Sequence, residues 1–214
     1  MALDDSALDE LQARVTRGDA GALGQLIEWH RPRLRMMVRL RMDRVLQARV
    51  DPSDVLQEAF LEASSRLDEF IRNPAVPFYL WLRTITGQQL LAAYRRHCGT
   101  QRRDARREIS PRSGALPAAN SGALAAHLVA CSTTPSGAAM QAELKDQLER
   151  ALDELDAMDR EVIVLRHFEE LTNSETAQVL GLKPSAACNR YIRALERLRQ
   201  VLDRFPEFAG EIRK

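Results

Sequence analysis

The sequence is poor in the residues that build sheets and membrane spans. Aromatic residues make up 5% of its 214 residues, and runs rich in valine, isoleucine and threonine are scarce, which argues against a sheet. No apolar run approaches the roughly 20 residues that cross a bilayer. The acidic, amphipathic N-terminus is unlike a signal peptide. We therefore expect a cytoplasmic protein without membrane insertion.

The sequence also lacks a recognisable catalytic or metal-binding constellation. Its three cysteines are an odd number without metal-ligand spacing, so free thiols are expected. Its four histidines are scattered, and none is accompanied by a partner acid, a cysteine or a glycine-rich phosphate loop. We expect no enzymatic activity, no cofactor and no metal.

Helical periodicity recurs along most of the chain, which predicts an all-α fold of two small helical domains. The predicted helices cover residues 3–15, 20–30, 33–46, 52–67, 78–97, 141–155, 159–168, 175–180 and 185–198. Pro32 is expected to break or kink the pattern because proline lacks an amide hydrogen. Asp51 and Pro52, in contrast, form a clear helix start.

A segment of different composition separates the two groups of helices. Residues 110–140 are rich in serine, glycine, alanine and proline and are nearly free of charge. Such a segment predicts a flexible linker, and a short helix over residues 122–130 is the weaker alternative. The predicted domains are residues 1–109 and residues 141–214.

Residues 171–198 are the most informative part of the chain. Gly181 lies where a helix should stop, since glycine readily adopts the left-handed conformation of a tight turn. The following helix carries Asn189, Arg190 and Arg193, side chains that contact base edges and phosphates. This pattern predicts a helix-turn-helix whose second helix enters the major groove. An ordinary helix pair in an all-helical domain is the alternative.

Two basic stretches flank the N-terminal half. Residues 30–49 hold seven arginines against one acid, and residues 95–112 hold seven against two. Charge of this density attracts a phosphate backbone. Residues 78–83 read FYLWLR, and aromatic rings beside a basic helix suit stacking on unpaired bases. The alternatives are a solvated face for the arginines and the core for the rings.

A small polar patch is predicted on the helix that begins at Pro52. Asp54, Gln57 and Glu58 lie one turn apart and so share one face. Such a patch suits the arginines of a protein partner, although on these residues alone ordinary solvation is the better interpretation.

Taken in order, these features resemble a bacterial RNA polymerase sigma factor of the extracytoplasmic-function (ECF) group of the sigma-70 family. The resemblance covers nearly the whole chain, with residues 1–109 similar to sigma region 2 and residues 141–214 similar to sigma region 4. The segment DPSDVLQEAF, residues 51–60, is similar to the family's D-x-x-Q-E-x-F segment. Gly87, Gln88 and Ala92 depart from the residues that many members carry there.

The resemblance implies three groups of binding residues. Contacts with core polymerase are implied for Asp51, Asp54, Gln57, Glu58 and Phe60. Contacts with the promoter −10 element, including a pocket for a flipped base, are implied for Asn73, Phe78, Trp81, Gln88, Gln89, Arg95 and Arg96. Contacts with the −35 element are implied for Ser185, Asn189, Arg190, Arg193 and Arg197.

The implied partners are core RNA polymerase, through its β′ clamp helices and β flap, and promoter DNA. Members of this group are often held inactive by an anti-sigma factor, which makes such a protein a candidate partner. A stand-alone helix-turn-helix regulator and a helical adaptor remain alternatives. A regulator would bind duplex operator DNA as a dimer, and an adaptor would bind no DNA. The polar patch beside the aromatic segment favours the sigma factor, because a regulator has no need of it.

Overall fold

The structure, a computed structural model, describes residues 5–72, 76–98, 108–109, 116–131 and 137–205. This part of the chain is almost entirely helical, which confirms the all-α prediction. Its helices are α1 (Asp5–Thr16), α2 (Ala20–Arg39), α3 (Arg44–Gln47), α4 (Pro52–Ser65), α5 (Leu67–Arg72), α6 (Phe78–Cys98), α7 (Ser121–Cys131), α8 (Ala138–Asp153), α9 (Ala157–Ile163), α10 (Asn173–Leu180) and α11 (Pro184–Leu202). A π-helical turn (Val164–Phe168) continues α9, and β1 (Glu108–Ile109) pairs antiparallel with β2 (Leu116–Pro117).

Capping residues set the start of α4 and α10. The Asp51 carboxylate accepts from the Ser53 amide at 2.7 Å, and Pro52 occupies the first helical position, so α4 begins where the sequence predicts. Thr172 and Glu175 form a second capping box. Because of this box, α10 begins at Asn173 and not at the predicted Glu175.

The helix α2 continues through Pro32, contrary to the predicted break. Ile27 and Leu34, before and after the proline, are both buried in one core. This packing outweighs the single backbone hydrogen bond that a proline removes. The predicted helix over residues 33–46 is instead divided at Arg39, and α3 starts at Asp43, whose carboxylate accepts from the Leu46 amide at 2.8 Å.

The segment predicted to be a flexible linker contains the ordered helix α7, so the prediction is corrected for residues 116–131. Leu124 and Ala125 are buried against a cluster that includes Leu148 of α8. The Ser121 hydroxyl donates to the Asp153 carboxylate at 2.6 Å. Alanine has the highest helix propensity and loses no side-chain entropy on burial, so an alanine-rich segment with few large residues still packs. The boundaries of the two domains stay a prediction.

A continuous apolar core joins the helices before and after this segment. Leu56 and Leu82 lie in the same cluster of buried side chains as Val162 and Leu165. A second cluster places Leu40 against α7, α8 and α11. Full burial of one such side chain contributes roughly 1.5–3 kcal/mol. Buried apolar side chains of the two predicted domains therefore pack against each other.

Candidate functional site

The polar patch of α4 lies on an exposed face. Asp54 and Gln57 are exposed, and Gln57 makes no side-chain hydrogen bond to the described residues. Asp51 has a structural role, since its carboxylate caps α4, and the bond from the Ser53 amide holds its pKa below the usual range. Its own amide donates to the Asp54 carboxylate at 3.2 Å. The side chains left for a partner are those of Gln57 and, in part, Asp54.

Glu58, the third member of this patch, pairs with Arg96 at the end of α6. The two guanidinium nitrogens lie 3.0 and 2.5 Å from the two carboxylate oxygens. Both side chains are about half exposed, and a pair of this kind contributes about 0–1 kcal/mol. Glu58, which is predicted to contact polymerase, and Arg96, which is predicted to contact DNA, are thus joined by a weak ion pair. Either side chain can leave this pair to bind a partner.

An open groove of about 390 Å³ continues the patch along α4, lined by Arg31, Ser53, Gln57, Phe60, Leu61 and Ser64. Phe60 is buried and forms its floor, with the Arg31 guanidinium 5.0 Å from the ring centre. Leu61 is 68% exposed. Leu61 is not among the residues predicted from the sequence, although an apolar residue outside the buried stripe of an amphipathic helix is the signal for it.

The rings of the aromatic segment form a cluster, and most of them are too buried to stack on a base. Phe70, Phe78 and Trp81 lie with ring centres 4.7–5.6 Å apart. Phe78 and Tyr79 are each 4% exposed, whereas Trp81 is half-buried. Of these rings, Trp81 is therefore the one that a base can reach without rearrangement.

A cavity of about 340 Å³ opens beside this cluster, lined by Gln12, Val15, Thr16, Phe70, Val76, Pro77 and Phe78. Its walls are mostly apolar, and Gln12 and Thr16 add polar groups from α1. No role for α1 is predicted from the sequence, since nothing in the pattern of this helix points to one. Asn73, predicted to contact the −10 element, lies outside the described residues.

The remaining −10 candidates lie along the second half of α6. Gln88 is exposed and accepts from Arg66 at 3.4 Å, Gln89 is half-buried, and Arg95 is exposed. Gly87 precedes them, and a Cβ atom there would lie 1.8 Å from a methyl carbon of Leu116. The missing side chain at Gly87 therefore makes room for the segment that follows α6.

The helix-turn-helix has the predicted geometry. Gly181 ends α10 in the left-handed conformation with φ of 66°, and its neighbour Leu182 donates its amide to the Ala177 carbonyl at 2.9 Å. Pro184 then occupies the first helical position of α11. The Asn173 side chain donates to the Pro184 carbonyl at 2.8 Å and links the two helices.

The structure divides the five −35 candidates between two faces of α11. Ser185, Asn189 and Arg193 are spaced by four residues, so they lie along one face, and all three are exposed. Arg190 and Arg197 instead bind the carboxylate of Asp159, Arg190 at 2.8 Å. Asp159 is 1% exposed. Asp159 is not predicted from the sequence, since only the fold brings α9 against α11.

The first basic stretch is partly used within the protein. Arg41, at 1% exposure, is buried. Arg33 donates to the Glu169 carbonyl at 2.8 Å. Arg35 and Arg39 stay exposed. The prediction of a phosphate-attracting surface therefore applies to only some of these arginines.

Within the described residues, no group of three or more His, Cys, Asp and Glu side chains could hold a metal ion. No helix in the same part of the chain is both long and apolar enough to span a membrane.

Comparison with known proteins places these surfaces in context. Residues 151–200 match the sequence family described as Sigma-70, region 4. The chain is 31% identical over 196 residues to the RNA polymerase sigma factor CnrH of Cupriavidus metallidurans, covering 90% of this chain and 93% of CnrH. It is 26% identical over 202 residues to the ECF RNA polymerase sigma factor SigD of Mycobacterium tuberculosis, covering 94% of this chain and 87% of SigD. The solved structure of CnrH in complex with the cytosolic domain of CnrY has a TM-score of 0.54 and 28% identity, over 91% of this chain and 96% of that one.

Proposed function

The chain belongs to the ECF group of the sigma-70 family of RNA polymerase sigma factors, and on that premise we propose that it binds core RNA polymerase and directs it to promoters through −10 and −35 contacts. The observation that carries this proposal is the exposed face of α11 formed by Ser185, Asn189 and Arg193. An amide and a guanidinium one turn apart, behind a tight helix-helix turn, suit the edges of adenine and guanine in the major groove.

Core polymerase would bind along α4. Gln57 and Asp54 offer an amide and a carboxylate, and Leu61 offers an exposed apolar side chain beside them. This combination suits the clamp helices of the β′ subunit if they present basic and apolar side chains. Glu58 would join the contact after release from Arg96, whose guanidinium would then be available for phosphate. The C-terminal half would contact the β flap.

The −10 element would lie across α6 and the cavity beside Phe70 and Phe78. A cavity of about 340 Å³ is large enough for a base turned out of the DNA stack, and its apolar walls favour the flat faces of a base. Trp81 would stack on a neighbouring base. Gln88 and Gln89 would supply amide contacts, and Arg95 and Arg96 phosphate contacts.

The −35 element would be bound by α11, on which one group of side chains contacts the DNA and a second group holds the helix in place. Ser185, Asn189 and Arg193 would face the DNA, while Arg190 and Arg197 hold α11 in place through Asp159 and keep some reach toward the backbone. Arg190 and Arg197 are 39% and 55% exposed in their side chains, so a phosphate could share them with Asp159.

The proposal also covers where the protein acts and what regulates it. We place the protein in the cytoplasm, where core polymerase and DNA are found, and assign it no catalytic activity of its own. The complex of CnrH with the cytosolic domain of CnrY is a precedent for a second protein that binds a chain of this fold. An anti-sigma factor is therefore the candidate regulator.

Run-off transcription with core polymerase tests the −35 assignment. We expect Arg193→Ala to lower initiation at a −35-dependent promoter about tenfold, since one base contact contributes roughly 1–3 kcal/mol. Arg199→Ala is the matched control, because Arg199 is an exposed arginine on the same helix. Equal loss in the two variants, or loss in neither, would contradict the assignment of α11.

A further inference from the structure

The cavity of about 340 Å³ that opens beside the aromatic cluster has one wall that belongs to α1. Gln12 and Thr16 lie one turn apart on this helix, so they share a face, and both line the cavity together with Val15. Leu11 and Val15 are 6% and 1% exposed, which fixes α1 in the apolar core. The two polar side chains are therefore presented to the cavity from a firmly packed helix.

The position of α1 relative to the next helix is also fixed. Arg14 binds the Asp19 carboxylate through two nitrogens, at 3.0 and 2.8 Å. The same carboxylate accepts from the Ala22 amide at 3.0 Å and caps α2. Because α2 belongs to the core that also holds Phe70 and Phe78, the two sides of the cavity keep a defined distance from each other.

The lining of the cavity is neutral. None of the seven described residues that line it has a charged side chain, and five of them are apolar: Val15, Phe70, Val76, Pro77 and Phe78. A phosphate or another ion would lose its hydration there without gaining a counter-charge, which is unfavourable. An unpaired nucleic-acid base fits better, because it has flat apolar faces and a neutral edge of hydrogen-bonding groups.

The cavity also continues the surface proposed for the −10 element. The Trp81 ring, which a base can reach, has its centre 4.7 Å from that of Phe70 and 5.5 Å from that of Phe78. A base in the cavity would therefore lie beside a base stacked on Trp81, as neighbouring bases of one unpaired strand do.

Hydrogen bonds within α1 decide what Gln12 and Thr16 offer to a base. The Thr16 hydroxyl donates to the Ala13 carbonyl at 2.8 Å, and since a hydroxyl has a single hydrogen, it can only accept from a ligand. Gln12 is half-buried, and its side chain makes no hydrogen bond to the described residues. Its amide can therefore donate through nitrogen and accept through oxygen. Together the two side chains offer two acceptors and one donor group.

This set of groups suits a base that carries an amino group. The polar edges of adenine, cytosine and guanine each provide at least two N–H hydrogens and an acceptor, so these bases can satisfy both acceptors and the donor group. Thymine has a single N–H, and its remaining polar groups are carbonyl oxygens. With thymine in the cavity, one acceptor of α1 would be covered without a donor, which costs free energy.

We propose that Gln12 and Thr16 contact one base of the −10 element in this cavity and select a base with an amino group, which means adenine, cytosine or guanine, against thymine. This inference rests on the proposed function and deepens it, because it assigns base selection to α1 in addition to α6. Neutral side chains of α1 then determine which base is accepted, while the arginines of α6 bind phosphates of any sequence.

Transcription from a library of linear templates tests this inference. The templates carry randomised −35 and −10 regions and a barcode in the transcript, and sequencing the transcripts made by core polymerase with the chain gives the base preference at each position. Thr16→Val removes the hydroxyl and keeps the shape of the side chain, and Gln12→Ala removes the amide. Gln25→Ala is the matched control, because Gln25 is an exposed glutamine of α2 that does not line the cavity.

We expect the wild type to disfavour thymine about tenfold at one −10 position. Thr16→Val should remove most of this discrimination, and Gln12→Ala should flatten the preference among all four bases there. Gln25→Ala should keep the wild-type preferences, and the −35 preferences should stay the same in every variant.

Unchanged preferences at every −10 position in Thr16→Val and Gln12→Ala would overturn the inference, as would a uniform loss of transcription in which the preferences persist. Thymine as the favoured base at the position that Gln12→Ala changes would also overturn it. If the wild type with core polymerase transcribes no template, the proposed function fails and the inference fails with it. Should Gln12→Ala lose helix content by circular dichroism, Thr16→Val decides alone.

Discussion

Replacing His30 with phenylalanine should remove a large part of the acid sensitivity of the fold. His30 is 3% exposed, and neither of its ring nitrogens has a hydrogen-bond partner in the described residues. Its ring lies 5.1 Å from that of Tyr79 and 5.9 Å from that of Phe78. Burial, helped by the positive charge of Arg33, lowers the pKa of His30 to about 4 from an ordinary value of 6.5.

The sign of the effect follows from this lowered pKa. The unfolded chain takes up a proton on His30 as the pH falls through 6.5, whereas the folded chain does so only near pH 4. Stability contributed by neutral His30 is therefore complete above pH 6.5 and is lost as the pH falls from 6.5 toward 4. Over that interval the loss is about 3 kcal/mol, and at pH 5 it is about 2 kcal/mol.

Urea unfolding monitored by circular dichroism at pH 7 and pH 5 provides the assay. Between these pH values the wild type should lose about 2 kcal/mol more stability than His30→Phe. Phenylalanine keeps a flat ring among the neighbouring rings, so the variant should fold normally at pH 7. Comparing the two proteins cancels the contribution of the carboxylates, which both retain. Equal losses in the two proteins would refute the argument.

Two further substitutions test contacts inside the fold, one apolar and one charged. Gly87→Ala should destabilise the fold by about 1–3 kcal/mol, because the added Cβ would displace Leu116. Thermal unfolding measures this loss of stability. Gly24→Ala is the control, because a Cβ at Gly24 would have no neighbouring atom within 4 Å. Asp159→Asn should cost about 1–3 kcal/mol and weaken binding to −35 DNA, because the two arginines of α11 that it holds lose a charged partner. DNA binding at full strength by this variant would show that α11 needs no such support.

Local signals in the sequence predicted the ends of several helices correctly. Asp51 with Pro52 and Gly181 act through backbone rules that involve only their neighbours, so α4 and the turn of the helix-turn-helix follow from sequence alone. Pro32 shows the limit of such rules. Its effect depends on how firmly α2 is packed on either side, and that is decided by residues distant in the sequence.

The sequence pattern does not predict ion pairs between residues that are far apart along the chain. Arg41 lies in a stretch whose charge predicts a solvated or phosphate-binding surface, yet its partners Glu161 and Glu169 follow 120 or more residues later. The same holds for Asp159, which divides the α11 candidates into two faces. The α7 helix was predicted only as the weaker alternative to a flexible linker, because its composition is typical of linkers. In the structure, α8 gives it a surface to pack against.

Gel filtration of the purified chain with bacterial core RNA polymerase tests the central claim most directly. We expect the wild type to co-elute with polymerase and Gln57→Ala/Glu58→Ala to elute apart from it. The circular dichroism of the variant should be unchanged, because the Glu58–Arg96 pair is exposed. Glu62→Ala, an acid lost from the same helix α4, should co-elute like the wild type. A well-folded wild-type chain that elutes apart from polymerase at micromolar concentrations would contradict the account.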